Sequence, residues 1–339
     1  MNDWVPRIEI RGAGGAKAAL ISAWDDGAWA RGPHADSLAQ ELGARLGRKN
    51  AVLTPNGFSA LLIALLACDP RPKAVVTAAA TTCFAMVNAI LAAGAQPIFA
   101  DLDAGTAGLS SDIVGDCILS PNHFGIISSV SKRRAEKGVV IIEDGAQSAM
   151  SALLQPTQST ALVLSFYPTK WLNGIDGGAV LTPDATYLQR MQRIASYEAQ
   201  TEFESSGRIN CSMPDLHAAV AMSSLRSAFD IGTDLRRQYI SLRAAMLEKG
   251  IPCLEIRKGE VPARYVAVFA DELEREQARN HFIRSGVGAG RELGWVCPRA
   301  DTHRFPVAAR LIASTLSLPI FPSMTADEHQ KILSAIKSL

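Results

Sequence analysis

The sequence predicts an α/β protein: a large domain with a mostly parallel sheet covered by helices, then a smaller C-terminal α/β domain. Three observations carry this expectation. Short strand-like segments alternate with helical stretches through the first part of the chain. Those segments are continuous apolar runs, the pattern of strands buried on both faces. Beyond Phe229 the rhythm shifts to longer helices, which places the domain change near Phe229–Asp234 and divides the chain into 1–230 and 231–339.

The elements follow in order. Asp36–Leu46 has apolar residues at helical spacing, and Gly47 stops it. Ala51–Leu53 reads as a short strand, Pro55-Asn56-Gly57 as a turn, and Ser59–Cys68 as an apolar helix. A strand at Ala74–Thr77 precedes a helix from about Thr82 to Ala93, which ends at Gly94. Further strands are expected at Gln96–Ala100, Cys117–Leu119, Val139–Ile142, Ala161–Phe166 and Ala179–Thr182. Leu216–Phe229 and Leu235–Lys249 read as helices, followed by a strand at Arg264–Phe269 and helices at Glu272–Ser285 and Ala326–Ser338. Arg291–Phe305 is charged and lacks a period, which predicts loop.

Composition excludes several classes. With 34 basic and 33 acidic residues the formal charge is +1, so the bulk charge offers no support for a nucleic-acid or anionic-membrane partner. The six cysteines are scattered without metal-ligand spacing, and His34, His217, His281 and His329 form no ligand pattern, so no metal is expected. The longest apolar run, Ala60–Cys68, is too short to span a bilayer, and Met1–Arg11 lacks the pattern of a signal peptide. A cytoplasmic protein with reduced thiols is the expectation. Gly12–Lys17 fails the dinucleotide fingerprint, and neither a phosphate-loop lysine motif nor a G-x-S-x-G elbow occurs.

One constellation carries chemistry. In VVIIEDGAQSA the β-branched run Val139–Ile142 ends in Glu143-Asp144, at the sheet edge where ligands of open parallel sheets bind. In LVLSFYPTKWLNGIDGGAVLT a second apolar strand leads to Ser165 and Lys170, and Gly177-Gly178 open a third. A carboxylate and an amine returned to one sheet edge are what pyridoxal 5'-phosphate requires. The first holds the pyridinium nitrogen protonated, and the second joins the cofactor as a Schiff base. Asn56-Gly57-Phe58-Ser59 before a helix adds free N–H groups and a hydroxyl suited to an anion such as the cofactor phosphate.

With these pieces in order, the chain resembles the DegT/DnrJ/EryC1/StrS aminotransferases. These are fold-type-I enzymes that mostly aminate keto sugars on nucleotide carriers. The resemblance runs from Gly32 to Met324 and is densest at EDGAQSA, SFYPTK and DGGAV, with GAQPIFADLD, INCSMPDLHAA and LSLPIFPSMT in family order. It implies a seven-stranded sheet, an amino-acid donor that is expected to be glutamate, and a keto-sugar acceptor. It also implies a homodimer with shared active sites. Residue by residue, it implies that Asp144 pairs with the ring nitrogen and Gln147 lies against the ring or its hydroxyl. Ser59 and Ser165, with the backbone of Gly57 and Phe58, would bind phosphate. Lys170 would be Schiff base and proton shuttle, and Asn210 would reach the phosphate of a neighbouring subunit.

The chain departs from the family pattern at several points. Phe58 replaces a usual Thr, and the ring-stacking aromatic falls at Cys83, with Phe84 one residue along as the aromatic candidate. Asn122 takes a His/Asn position with His123 adjacent, and Ser212 replaces an Arg. The C-terminal substrate loop is short and lacks Tyr-x-Pro-Leu-His. Two other readings stand beside transamination: a lyase or dehydratase using the same cofactor, and a cofactor-binding regulator without turnover. The family's dehydratases replace the lysine, so Lys170 argues against the first.

Overall fold

The computed structural model describes residues 4–9, 14–27, 29–49, 51–68, 74–110, 113, 115–132, 139–198, 200–201 and 207–339. In chain order the helices and strands are α1 (Ala16–Asp25), α2 (Pro33–Arg45), β1 (Val52–Thr54), α3 (Gly57–Cys68), β2 (Val75–Ala79), α4 (Phe84–Ala92) and β3 (Gln96–Ala100). Then come β4 (Cys117–Pro121), β5 (Val140–Asp144), α5 (Ala149–Leu154), β6 (Ala161–Ser165), β7 (Gly178–Leu181), α6 (Ala185–Ala195) and α7 (Asp215–Arg226). The remainder holds α8 (Ala228–Glu248), β8 (Tyr265–Val268), α9 (Glu272–Arg284), α10 (Pro306–Ser314), β9 (Thr315–Leu318) and α11 (Ala326–Lys337).

Seven strands form one sheet in the order β1-β7-β6-β5-β4-β2-β3, and β8 pairs with β9 in a second, two-stranded sheet. From β3 across to β6 every pairing is parallel, while β7 runs antiparallel to both β6 and β1. Strand β1 therefore points the same way as β6, and the chain leaves both at the same sheet edge. The register makes this local. Gly178 of β7 pairs with Ser165 on one side and with Thr54 on the other. Asp144, the last residue of β5, pairs with Pro121 at the end of β4.

Side chains alternate across the sheet as a strand dictates. In β6, Leu162 and Leu164 join the core shared with α2, α7 and the C-terminal helices, while Ala161 and Val163 join the core under α3, α4 and α6. Helix α3, GFSALLIALLAC, is apolar on nearly every face because it lies between the sheet and other helices. Helix α6 shows the opposite design, burying only Tyr187, Met191 and Ala195 at a spacing of four, with Asp184 capping the Tyr187 N–H.

Two features bear on where the chain changes character. Residues 229–234, read as the point of domain change, lie inside the continuous helix α8, and α7 meets α8 at the single residue Ser227. Gly232 does not stop the helix. It is buried, and an added Cβ would meet Val261 only at 3.6 Å, so the position packs a small residue against a neighbour. The N-terminal segment, expected with the large domain, pairs with the C-terminal part: Val5 forms a parallel bridge to Val287, with hydrogen bonds on both sides.

Candidate active site

The sheet edge assembled above holds the expected residues. Asp144 and Ser165 end adjacent parallel strands, and α3 begins three residues after Thr54, directly beside Ser165. Gly57 fits there because it lacks a side chain: a Cβ would stand 2.9 Å from Cβ of Ser165. Gly178 is equally constrained, since a Cβ would come within 2.6 Å of the Asn56 carbonyl oxygen. The Asn56 side chain accepts the Ser59 N–H at 2.9 Å and caps the helix. Among the described residues the N–H groups of Gly57 and Phe58 have no acceptor. They remain as the open donors of the α3 N-terminus.

An open cleft of about 420 Å³ is lined by Asn56, Gly57, Phe58, Asp144, Ser165 and Lys170, and further by Cys83, Tyr167 and Asp176. Lys170 follows the turn after β6, its N–H bonded to the Tyr167 carbonyl at 2.8 Å. Burial lowers the pKa of its amine, against the opposing pull of Asp144, and Arg264 lowers it further. Burial raises the Asp144 carboxyl, against the Ala146 N–H, at 3.0 Å from Oδ1, and against Lys170. That N–H is the one hydrogen bond to the Asp144 carboxylate among the described residues.

Behind Asp144 lies a buried polar network. Glu143 accepts from Asn122 Nδ2, and Thr157 and Ser159 donate to its second oxygen. Asn122 Oδ1 accepts the Ser128 N–H at 2.8 Å, so Asn122 is engaged away from the cleft. Its neighbour His123 is buried, with Nε2 unpartnered among the described residues. Desolvation lowers the His123 pKa to about 4, which keeps the ring neutral.

Four expected residues lie off the lining of this cleft: Phe84, Ser59, Gln147 and Asn210. Phe84 opens α4 with 64% of its surface exposed and does not line the cleft; Cys83, the α4 N-cap, occupies the wall instead. Ser59 lies off the cleft lining, near Cys211, whose thiol pKa it lowers against the effect of burial. Gln147 borders a second cavity, with Lys170, Trp171 and Arg264, and its Oε1 accepts the Phe124 N–H at 2.8 Å. Asn210 is exposed and outside the cleft of its own chain. Tyr167, Asp176 and Arg264 were not singled out from sequence. Tyr167 and Asp176 stand inside the motifs SFYPTK and DGGAV, whereas an Arg before a strand gives no signal by itself.

The residues present fit pyridoxal phosphate. A buried carboxylate with one hydrogen bond suits a cationic ring nitrogen, an amine of lowered pKa stands in the same cleft, and two open helix-terminal amides suit a phosphate. The DegT/DnrJ/EryC1/StrS aminotransferase model matches residues 14–337. The chain belongs to that family.

Its relatives share the family's architecture along nearly the whole chain. A pleiotropic regulatory protein of Geobacillus stearothermophilus is 25% identical, over 90% of this chain and 89% of that protein. UDP-2-acetamido-2-deoxy-3-oxo-D-glucuronate aminotransferase of Pseudomonas aeruginosa is 24% identical, over 91% of this chain and 92% of its own. The crystal structure of a DegT/DnrJ/EryC1/StrS aminotransferase from Brucella abortus superposes with a TM-score of 0.82 at 22% identity, covering 95% of this chain and 94% of that one. The seven-stranded sheet and the smaller C-terminal sheet are the family's type I fold. Among the described residues no helix is long and apolar enough to cross a membrane, and no cluster of three or more His, Cys, Asp or Glu is placed to hold a metal.

Proposed function

We propose that this chain transfers an amino group from an amino acid, glutamate foremost, to a keto group of a sugar carried on a nucleotide. The observation that carries the reading is the shared cleft of Asp144, Lys170 and the open amides of Gly57 and Phe58. Aminotransferase names among the relatives, two of them for UDP-linked keto sugars, support the acceptor class.

Bound here, pyridoxal phosphate supplies an electrophilic carbonyl and a ring that accepts electrons. The Gly57 and Phe58 N–H groups, with Ser165 beside them, hold its phosphate at the positive end of α3. Asp144 keeps a positive charge at the ring nitrogen, which offsets the cost of burying its own carboxylate. Lys170 Nζ holds the cofactor covalently. Once released, it takes the proton from the donor's α-carbon, a task its lowered pKa suits. The position of Asn210, exposed and off its own cleft, supports a reach into a neighbouring subunit's site in a homodimer. The division at residues 230 and 231, and a cytoplasmic location with thiols unpaired in disulfides, belong to the same proposal.

The test is to load the protein with pyridoxamine phosphate and offer keto-sugar nucleotides alongside small ketones. Amination of a nucleotide-linked sugar in preference to the small ketones is expected. Exclusive use of small ketones would remove the sugar from the reading. The regulatory name of the Geobacillus relative keeps a second reading, cofactor binding without turnover. In that case amino donors would leave the cofactor's absorbance unchanged.

A further inference from the structure

Next to Lys170 stands a guanidinium that no step above uses. Arg264 immediately precedes β8, and its side chain is only 11% exposed. With Lys170 and Gln147 it borders a small cavity of about 20 Å³ that is open to solvent. Its position is fixed from two directions. The guanidinium carbon lies 5.3 Å from the centre of the Trp171 ring, a cation–π contact. Its Nε stands 3.7 Å from Glu292 Oε1, and Nη1 donates to the Ala263 carbonyl at 2.7 Å.

The charges do not balance. Glu292 is also paired with Arg7, whose side chain lies against Gly290, where a Cβ would come within 2.8 Å of it. Among the described residues two guanidinium groups therefore share one carboxylate, which leaves one positive charge unmatched there. Among the described residues Nη2 of Arg264 has no acceptor, and the buried indole N–H of Trp171 has none either. A buried, oriented fork with an unmatched charge and an open face is the arrangement that binds a carboxylate with two parallel hydrogen bonds.

We propose that Arg264 is a specificity-determining residue that recognises a carboxylate on the substrate seated against Lys170. The inference rests on Lys170 marking the reactive position. A carboxylate can reach this position from the amino-acid donor or from an acidic sugar acceptor, and Arg264 serves either by the same chemistry.

The test is calorimetric titration of the protein as purified, so that no turnover is needed. The probes are glutarate and its neutral diamide for the donor side, and glucuronate and glucose for the acceptor side. Arg264→Gln should weaken glutarate binding tenfold or more, or do so for glucuronate, while the neutral partner of each pair is unaffected. The pair that responds identifies the source. Arg264→Lys keeps a cation near Glu292 and should recover part of the affinity, which guards against a fold defect in the first variant. A merely structural Arg264 would shift the melting temperature and leave the carboxylate-over-neutral ratio unchanged; that ratio unchanged in both variants overturns the proposal. Failure of Lys170 to bind pyridoxal phosphate is a separate result, read by chemical trapping, and would strike the parent reading instead.

Discussion

Gly57 and Ser165 stand so close that a single added methyl at Gly57 would lie 2.9 Å from the Ser165 Cβ and 3.0 Å from its hydroxyl. This contact joins the start of α3 to the end of β6 and aims the open helix amides into the cleft. Gly57→Ala should push Ser165 aside and tilt those amides. Binding of pyridoxal phosphate should weaken about tenfold, equivalent to about 1.4 kcal/mol. Fluorescence titration of the cofactor checks it, and unchanged affinity would detach this contact from phosphate binding.

The pH response of Lys170 follows from its burial. Its amine titrates below the ordinary lysine value of 10.5, and Asp144 partly restores it. The rate of trapping by pyridoxal phosphate should therefore reach half its maximum below pH 10.5. In Asp144→Asn, where the restoring charge is gone, that midpoint should fall further. The same shift links to stability: between the lowered pKa and 10.5 the unfolded chain binds more protons, so this group's contribution to stability rises with pH. A midpoint at 10.5 in both proteins would contradict the buried amine.

Asp144→Asn tests the carboxylate directly. An amide cannot hold a cation at the ring nitrogen, so turnover should fall on the order of a hundredfold or more. The fold should survive, because the substitution removes a buried charge whose desolvation raises its pKa. Near-normal turnover would take Asp144 out of the mechanism.

Shared sites make a prediction about mixtures. Lys170→Ala and Asn210→Ala should each be inactive alone. In a mixed dimer one site carries both defects and the other neither, so part of the activity should return. No recovery in demonstrated heterodimers would confine Asn210 to its own subunit.

Much of this was legible because burial on both faces leaves a plain mark. The apolar runs ending at Asp144 and Ser165 announced the adjacent strands β5 and β6, and Gln96–Ala100 is β3 as expected. What escaped was set by tertiary contact. β9 has four residues and no in-out alternation, because all four are buried. Residues 229–234 read as a junction between two helices and lie inside α8, where Gly232 packs against Val261. In the site, spacing put the ring-stacking position at Cys83 with the aromatic Phe84 one residue along, and it is Cys83, at the turn into α4, that lines the cleft. Ser59 carries a hydroxyl in a fitting place along the chain, yet it lies off the cleft lining. Arg264 gained its significance only when the chain folded it beside Trp171 and Lys170.

The central claim is that Lys170 is the amine that takes the cofactor. Incubation with pyridoxal phosphate, reduction with borohydride and peptide mapping measures it directly. The account predicts a yellow protein whose visible band is bleached on reduction, with the fixed adduct on Lys170 and lost in Lys170→Ala. An adduct on any other lysine, or none at all, would contradict it.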